Sequence, residues 1–212
     1  GKIHPLNQTF TLGNGIYYGI VFGGYMKDIQ NRKELVYFDS KTNKIDSSIE
    51  FPRTFFRGVT HNDFLYPKFI TVSPQNNKFA FFYSLYPLIR IFNDKLEINK
   101  EIWVDNLPKQ IKFKTKGENS NIFFGYHYYK KVVSSKSFIY ALYFNDKGIK
   151  ENDSYQRVLI SNPELHIFNW DGKPIRRIVL RKGTSAIEIS DDEKYLYSTE
   201  IDIADKIFRY SL

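Results

Sequence analysis

The stretch ELHIFNWDGKPIRRIVLRKG, residues 164–183, contains two runs rich in apolar and β-branched residues that meet at Asp171-Gly172. Glycine adopts positive φ without a Cβ clash, so an Asp-Gly pair between two such runs predicts a tight primed turn. The stretch therefore predicts an antiparallel β-hairpin.

The same hairpin pattern occurs at two earlier places in the chain. Each copy ends its first strand on a phenylalanine followed by Asp or Asn: Phe38-Asp39, Phe92-Asn93 and Phe168-Asn169. A short polar turn then leads to a second strand that carries two isoleucines. Internal repetition of this kind indicates that the chain is built from copies of one supersecondary unit.

A second recurring element consists of a strand, a serine, a polar turn, and a lysine followed by alternating aromatic residues. Its two copies are FITVSPQNNKFAFFYS, residues 69–84, and AIEISDDEKYLYSTE, residues 186–200. Side chains alternate between the faces of a strand. We therefore expect the aromatic residues after each lysine to share a common face: Phe79 and Phe81 in one copy, Tyr195 and Tyr197 in the other. Joined to the hairpin, this element gives four antiparallel strands per unit.

Four such units divide the chain, at about 8–52, 68–104, 121–180 and 185–212. The third contains a polar insert, KGIKENDSYQRVLISN, which we expect to be a loop, and the fourth provides only three strands. Short strands separated by turn signals predict an all-β domain spanning residues 1–212. We expect a β-propeller of four-stranded antiparallel blades, about four of them in this chain, with a β-sandwich as the alternative.

The composition agrees with such a fold. Aromatic residues make up 17% of the 212 residues, and they suit a pleated, half-buried surface. The chain has no run of 18 consecutive apolar residues, so no transmembrane segment is predicted. The absence of cysteine excludes a disulfide framework and thiolate chemistry.

The formal net charge of +8 raises nucleic-acid binding as a function to test. Lys112, Lys114 and Lys116 alternate along one predicted strand, and such a face can contact phosphates. Lysines at this spacing also protect exposed strand edges. Because the other basic residues are scattered, we expect no nucleic-acid partner.

The loop PRTFFRGVTHNDFLYPKF, residues 52–69, is the richest in polar and aromatic side chains. In a propeller, loops that join one blade to the next gather around one mouth of the ring. The candidate ligand-binding residues of this loop are Arg53, Arg57, His61, Asp63, Tyr66 and Lys68. The arginines suit a carboxylate or sulfate, and His61 with Asp63 suits a general base with its orienting partner. A metal would need a third ligand, so we expect no metal site.

A second candidate is GYHYYKK, residues 125–131. Strand alternation places Tyr126 and Tyr128 on one face and His127 on the other, where they can stack on a sugar or peptide. The alternative is that these aromatic residues pack between blades. We expect His166, which lies beside Leu165 in an outer strand, to be structural.

Several established chemistries have no motif in the sequence. It contains no glycine-rich phosphate loop, no G-x-S-x-G or H-E-x-x-H motif, and no calcium loop of the EF-hand form. We therefore expect no cofactor and no catalytic residue that the sequence can name.

The turns SPQNNK, residues 73–78, and SDDEK, residues 190–194, occur within four-stranded units whose last copy is incomplete. Together these features resemble the blades of the TolB-like six-bladed propellers of bacteria. The resemblance implies a periplasmic or cell-envelope protein, lipid-anchored through a removed leader, and a ring in which the N-terminal segment supplies the missing fourth strand. Four units are fewer than six blades, so a truncated or divergent ring is expected.

Two functions follow from these observations. The first is a non-catalytic scaffold that binds a protein, peptide or glycan partner through the mouth of the ring. The alternative is a propeller hydrolase or lyase with a site centred on His61 and Asp63, assisted by a metal.

Overall fold

The structure is a computed structural model, and it describes eleven segments of the chain: 9–12, 15–20, 33–50, 52, 68–75, 77–84, 87–104, 126–151, 154–159, 162–200 and 203–212. These segments form sixteen β-strands in four separate sheets. Within them, no helix is long and apolar enough to span a membrane. The prediction of an all-β fold built from antiparallel sheets is confirmed.

The first two sheets each have four strands that pair in chain order, and we call them blades one and two. Blade one contains β1 (Thr9–Thr11), β2 (Ile16–Ile20), β3 (Lys33–Asp39) and β4 (Lys44–Glu50). Blade two contains β5 (Lys68–Val72), β6 (Lys78–Tyr83), β7 (Leu88–Asn93) and β8 (Ile98–Trp103).

Blades three and four depart from this pattern. Blade three contains β9 (Tyr126–Ser134), β10 (Phe138–Glu151), β11 (Ser154–Leu159), β12 (Glu164–Asn169) and β13 (Pro174–Val179). Blade four contains β14 (Thr184–Ile189), β15 (Tyr195–Glu200) and β16 (Ile203–Ser211). In blade three, β10 pairs with β9 and β12 along its first half and with β11 along its second half.

Two sequence predictions about these blades are wrong. The polar insert of the third unit is an extension of the sheet, because residues 146–151 of β10 pair with residues 154–159 of β11. The N-terminal strand does not complete blade four, because Thr9–Thr11 pairs antiparallel with Tyr17–Gly19 of β2 in blade one.

The repeated Asp or Asn after each phenylalanine organises the hairpin turn. In blade three, Asn169 Oδ1 accepts hydrogen bonds from the backbone N–H groups of Asp171 and Lys173. Gly172 has a φ of 79°, whereas Asp171 does not adopt positive φ. A primed turn of the Asn-Gly type needs positive φ at both central residues, so the predicted turn type is wrong. The chain instead makes an Asn-capped turn closed by one left-handed glycine.

The serine turn also repeats, in a register different from the one that the sequence suggested. A serine N–H donates to the carbonyl of the residue that opens the next strand: Ser73 to Lys78, Ser135 to Phe138, and Ser190 to Tyr195. Lys78 therefore corresponds to Tyr195 and not to Lys194. As a result Phe79 is buried, whereas Tyr197 is 36% exposed, and the predicted common aromatic face is wrong.

The core consists of side chains packed between neighbouring blades. Between blades one and two, the ring of Phe79 stacks on that of Phe92, with centroids 4.8 Å apart. Between blades two and three, the ring of Phe82 meets that of Tyr129 edge to face at 5.0 Å. Between blades three and four, Leu142, Leu165 and Leu196 pack in a third apolar cluster. Burial between sheet faces therefore holds the blades side by side.

Candidate functional site

Blades two and three carry polar side chains at equivalent positions facing the preceding blade. The correspondence follows from strand register, because Phe79 pairs with Phe92 as Ile139 pairs with Phe168. From inner to outer strand, the equivalent residues are Lys68, Tyr83, Arg90 and Glu101 in blade two, and Tyr129, Tyr143, His166 and Arg177 in blade three. The two sets have different surroundings.

In blade two the set surrounds a carboxylate from blade one, and we call Glu34, Lys68, Tyr83 and Arg90 the buried charge centre. Glu34 Oε2 lies 2.8 Å from Lys68 Nζ, and both side chains are fully buried. Glu34 Oε1 lies 2.8 Å from Arg90 Nη1. The Tyr83 hydroxyl lies 2.9 and 2.8 Å from the two carboxylate oxygens. One acidic side chain therefore satisfies three donors of the next blade.

Burial dominates the electrostatics of this centre. It lowers the pKa of Lys68, which Glu34 partly counteracts, and it raises the pKa of Tyr83 well above its ordinary value, with a further contribution from Glu34. Buried charges of this kind are tolerated only when they are paired. The centre is therefore a structural connection between blades one and two.

In blade three the equivalent set borders an open cleft. The cleft has a volume of about 660 Å³, within the range of ~300–1,000 Å³ that is typical of ligand sites. Blade two provides Ile102, Trp103 and Val104, and blade three provides Tyr143, Glu164, His166, Ile167, Phe168, Pro174, Ile175, Arg176 and Arg177. One side of the cleft is therefore mainly apolar, and the other carries hydrogen-bonding groups.

Glu164 is the acidic group of the cleft and is held by two neighbours. Its Oε2 lies 2.9 Å from His166 Nε2, and its Oε1 accepts a hydrogen bond from Arg177 Nη2. Burial raises the pKa of Glu164, but the hydrogen bonds from Arg177 and His166 outweigh this effect and lower the pKa below its ordinary value. Glu164 is therefore ionised near neutral pH.

His166 is fixed by stacking as well as by Glu164. Its ring lies parallel to that of Tyr143, with centroids 4.4 Å apart, and edge-on to the ring of Tyr129 at 6.1 Å. Burial lowers the pKa of His166, although Glu164 opposes the shift. The imidazole is therefore neutral near pH 7, and when Nε2–H donates to Glu164, Nδ1 is left as an acceptor.

Tyr129 contributes a hydroxyl that is buried without a hydrogen-bond partner in the structure. Burial raises the pKa of Tyr129 well above its ordinary value, and Tyr143 and Glu164 raise it further. Both of those neighbours line the cleft. An unsatisfied buried polar group costs about 1–3 kcal/mol, so this hydroxyl lowers the stability of the protein as it stands.

His166 predicts a pH dependence of stability. Its pKa is lower in the folded state than the ordinary value of about 6.5, so the unfolded chain binds the proton first as the pH falls. The contribution of His166 to stability is present above about pH 6.5 and is lost as the pH falls through the pKa of the folded state. Urea unfolding of the wild type and of His166→Gln, at about pH 7.5 and about pH 5.5, is expected to show that the wild type loses more stability. A stability difference between the two proteins that does not vary with pH would contradict this prediction.

The residues singled out from the sequence fall into three groups. Arg53, Arg57, His61, Asp63 and Tyr66 lie outside the described residues, as do Lys112, Lys114 and Lys116. Tyr126 and His127 open β9, and their side chains are not described. Lys68 and Tyr128 are described, and both are buried: Lys68 belongs to the charge centre, and the Tyr128 ring lies 6.1 Å from that of Tyr143.

The sequence analysis missed the residues of the cleft. It assigned His166 a structural role and did not single out Tyr143, Glu164 or Arg177. A signal was present, because aligning Phe92 with Phe168 places Arg90 and His166 at one position of an otherwise apolar strand. In the segments that the structure describes, no cluster of three or more His, Cys, Asp or Glu side chains could hold a metal ion.

Comparison with known families agrees with this geometry. The model of the TolB-like 6-blade propeller-like family matches residues 23–192. The chain belongs to this TolB-like family. Its sheets are therefore propeller blades, and the alternative of a β-sandwich is set aside.

Solved structures place the TolB-like chain among longer proteins. A member of the DUF4221 family from Bacteroides vulgatus matches with a TM-score of 0.61 and 11% identity, over 96% of this chain and 63% of its own. A candidate 6-phosphogluconolactonase from Bacteroides uniformis matches with a TM-score of 0.51 and 14% identity, over 96% of this chain and 49% of its own. No curated protein sequence matches the chain. The TolB-like chain thus spans about half to two thirds of these structural relatives, and at such identities the likeness concerns the fold alone.

Proposed function

We propose that this chain is a non-catalytic binding propeller that recognises a protein, peptide or glycan partner. The observation that carries the proposal is the cleft of about 660 Å³ between blades two and three. Ligand sites typically combine an apolar lining with a few hydrogen-bonding groups that orient the ligand. Here Ile102 and Val104 provide apolar surface, and Tyr143, His166 and Arg177 provide the polar groups.

The ring-mouth residues named from the sequence form the second part of the proposal. They are Arg53, Arg57, His61, Asp63, Tyr66, Lys68, Tyr126, His127 and Tyr128. Lys68 opens β5 and Tyr126 opens β9, and strand register puts both at the blade end where Glu164 opens β12. A partner bound at this end can therefore contact the mouth and the cleft together. Membership of the TolB-like family supports the proposed location in the periplasm or cell envelope.

Thermal-shift measurements with peptides, oligosaccharides, divalent metals and duplex DNA test this function. A ligand at about 100 times its Kd adds about 2.7 kcal/mol, and a protein of this size gains about 2–4 °C per kcal/mol. We expect a peptide or oligosaccharide to raise the Tm and Ile175→Trp to abolish the shift. Ile175 lines the cleft and is 47% exposed, so a larger side chain there narrows the cleft without entering the core.

Val179→Trp is the matched control. Val179 lies on the same strand, is 58% exposed and is not part of the cleft lining. A ligand-induced shift that survives in Ile175→Trp would contradict binding in the cleft. A shift seen only with a divalent metal and lost in His61→Ala would favour the hydrolase or lyase alternative.

A further inference from the structure

We propose that the cleft receives the carboxylate of an aspartate or glutamate side chain from an acidic polypeptide partner. This inference rests on the proposed binding function and names the chemistry of its ligand. It is carried by the buried charge centre, which shows how the equivalent positions of blade two are used within the same chain.

At the interface between blades one and two, the polar set of the later blade converges on a carboxylate from outside that blade. Lys68, Tyr83 and Arg90 all donate to Glu34, which belongs to blade one. The methylene groups of Glu34 are buried with the rest of its fully buried side chain. An acidic side chain inserted between blades therefore fits this place in the fold.

At the interface between blades two and three, the preceding blade supplies no such group. The described residues that blade two contributes to the cleft are Ile102, Trp103 and Val104, none of which is acidic. The equivalents of Lys68 and Tyr83 are Tyr129 and Tyr143. Tyr129 has a buried hydroxyl with no acceptor, so one donor of the set lacks the partner that Glu34 gives to Lys68.

The charges around the cleft favour an anion. Arg177 donates to Glu164 through Nη2 and is still 68% exposed. A guanidinium has five N–H donors, so Arg177 retains further donors for a second carboxylate. Arg176 also lines the cleft, and His166 is neutral near pH 7. The ionised side chains of the lining therefore sum to one positive charge, and the net charge of +8 adds long-range attraction.

The shape of the cleft favours a polypeptide side chain as the source of this carboxylate. Ile102, Val104 and Phe168 offer apolar surface opposite the donors. The methylene stem of glutamate can cover that surface while the carboxylate reaches Tyr143 and Arg177. Exposed Ile175 extends the apolar surface at the cleft and can contact residues adjacent to the acidic side chain.

Fluorescence polarisation with two labelled peptides tests the proposal directly. The probes are acetyl-(Ala-Glu)₃-amide and its isosteric counterpart acetyl-(Ala-Gln)₃-amide, titrated with the whole chain at low salt. We expect the Glu peptide to bind at least about tenfold more tightly, and added salt to weaken it. We also expect Arg177→Gln to weaken binding of the Glu peptide by about tenfold, whereas Arg209→Gln, an equal loss of charge in blade four, leaves it unchanged.

Tyr129→Phe gives a second readout that a structural role would not produce. Removing an unsatisfied buried hydroxyl is expected to raise the Tm, yet the Glu peptide should bind several-fold more weakly because a donor is lost. Tyr210→Phe is the matched control, since the Tyr210 hydroxyl is also buried without a hydrogen-bond partner but lies in blade four. It should raise the Tm and leave the affinity unchanged.

Each outcome decides the proposal. Equal affinity for the Glu and Gln peptides, or an unchanged Kd in Tyr129→Phe and Arg177→Gln, would overturn it. If an oligosaccharide raises the Tm in a manner that Ile175→Trp abolishes and the Glu peptide does not bind, the proposed function stands and this inference is wrong. If no ligand shift depends on Ile175, both the proposed function and this inference fail.

Discussion

Replacing Glu34 with leucine is expected to lower the free energy of unfolding by about 3–5 kcal/mol. The substitution removes the acceptor of three donors and leaves the ammonium of Lys68 and the guanidinium of Arg90 buried without their carboxylate. An uncompensated buried charge is among the most destabilising features that a single substitution can create. Urea unfolding followed by tryptophan fluorescence measures the loss.

Two further variants separate the effect of charge from that of side-chain volume. Glu188→Leu removes an exposed carboxylate of β14 and should change the stability by less than about 0.5 kcal/mol. The triple variant Glu34→Leu, Lys68→Met, Arg90→Leu replaces all three ionised groups with apolar ones and should recover most of the loss. A triple variant as unstable as Glu34→Leu alone would contradict the electrostatic explanation.

Replacing Phe79 with alanine is expected to cost about 3–5 kcal/mol, as large-to-small substitutions in well-packed cores do. The Phe79 side chain is fully buried between blades one and two. Its ring lies 4.8 Å from that of Phe92 and 5.1 Å from that of Phe10, so its loss leaves a cavity at the contact between the two sheets. Urea unfolding gives the loss of stability, and the slope of the transition reports whether the blades still unfold together.

Tyr197→Ala is the control for this prediction. Tyr197 lies on β15 and is 36% exposed, so its truncation removes little buried surface. We expect a loss well below that of Phe79→Ala. Equal losses for the two variants would mean that packing between blades one and two does not dominate the stability of this part of the fold.

Hairpins and blades could be predicted from the sequence because their signals act over a few residues. Asn93 and Asn169 each bind backbone N–H groups two and four positions later, and this contact needs no distant partner. The details that failed depend on competition between local groups. At Asp171-Gly172 the side chain of Asn169 organises the turn, so only the glycine adopts positive φ.

The candidate site could not be predicted in the same way. Glu164 and Arg177 lie 13 positions apart in sequence and meet through the register of β12 and β13, whereas Ile102 reaches the cleft from another blade. The signal in single strands was a polar residue inside an apolar run, and Arg90 and His166 share it. That signal marks a position in the repeat, but it does not distinguish a buried ion pair from an open cleft.

The sequence by itself determined the repeating four-stranded unit and the family, because alternation, turn residues and repeat spacing are local properties of the chain. Only the tertiary structure decided what each repeat does at its interface. Blade one supplies Glu34 to the polar set of blade two, whereas the described residues that blade two supplies to the set of blade three are Ile102, Trp103 and Val104. The physical reason is that a buried polar group depends on the partner that the neighbouring sheet supplies, and that partner is brought into place only when the sheets pack together.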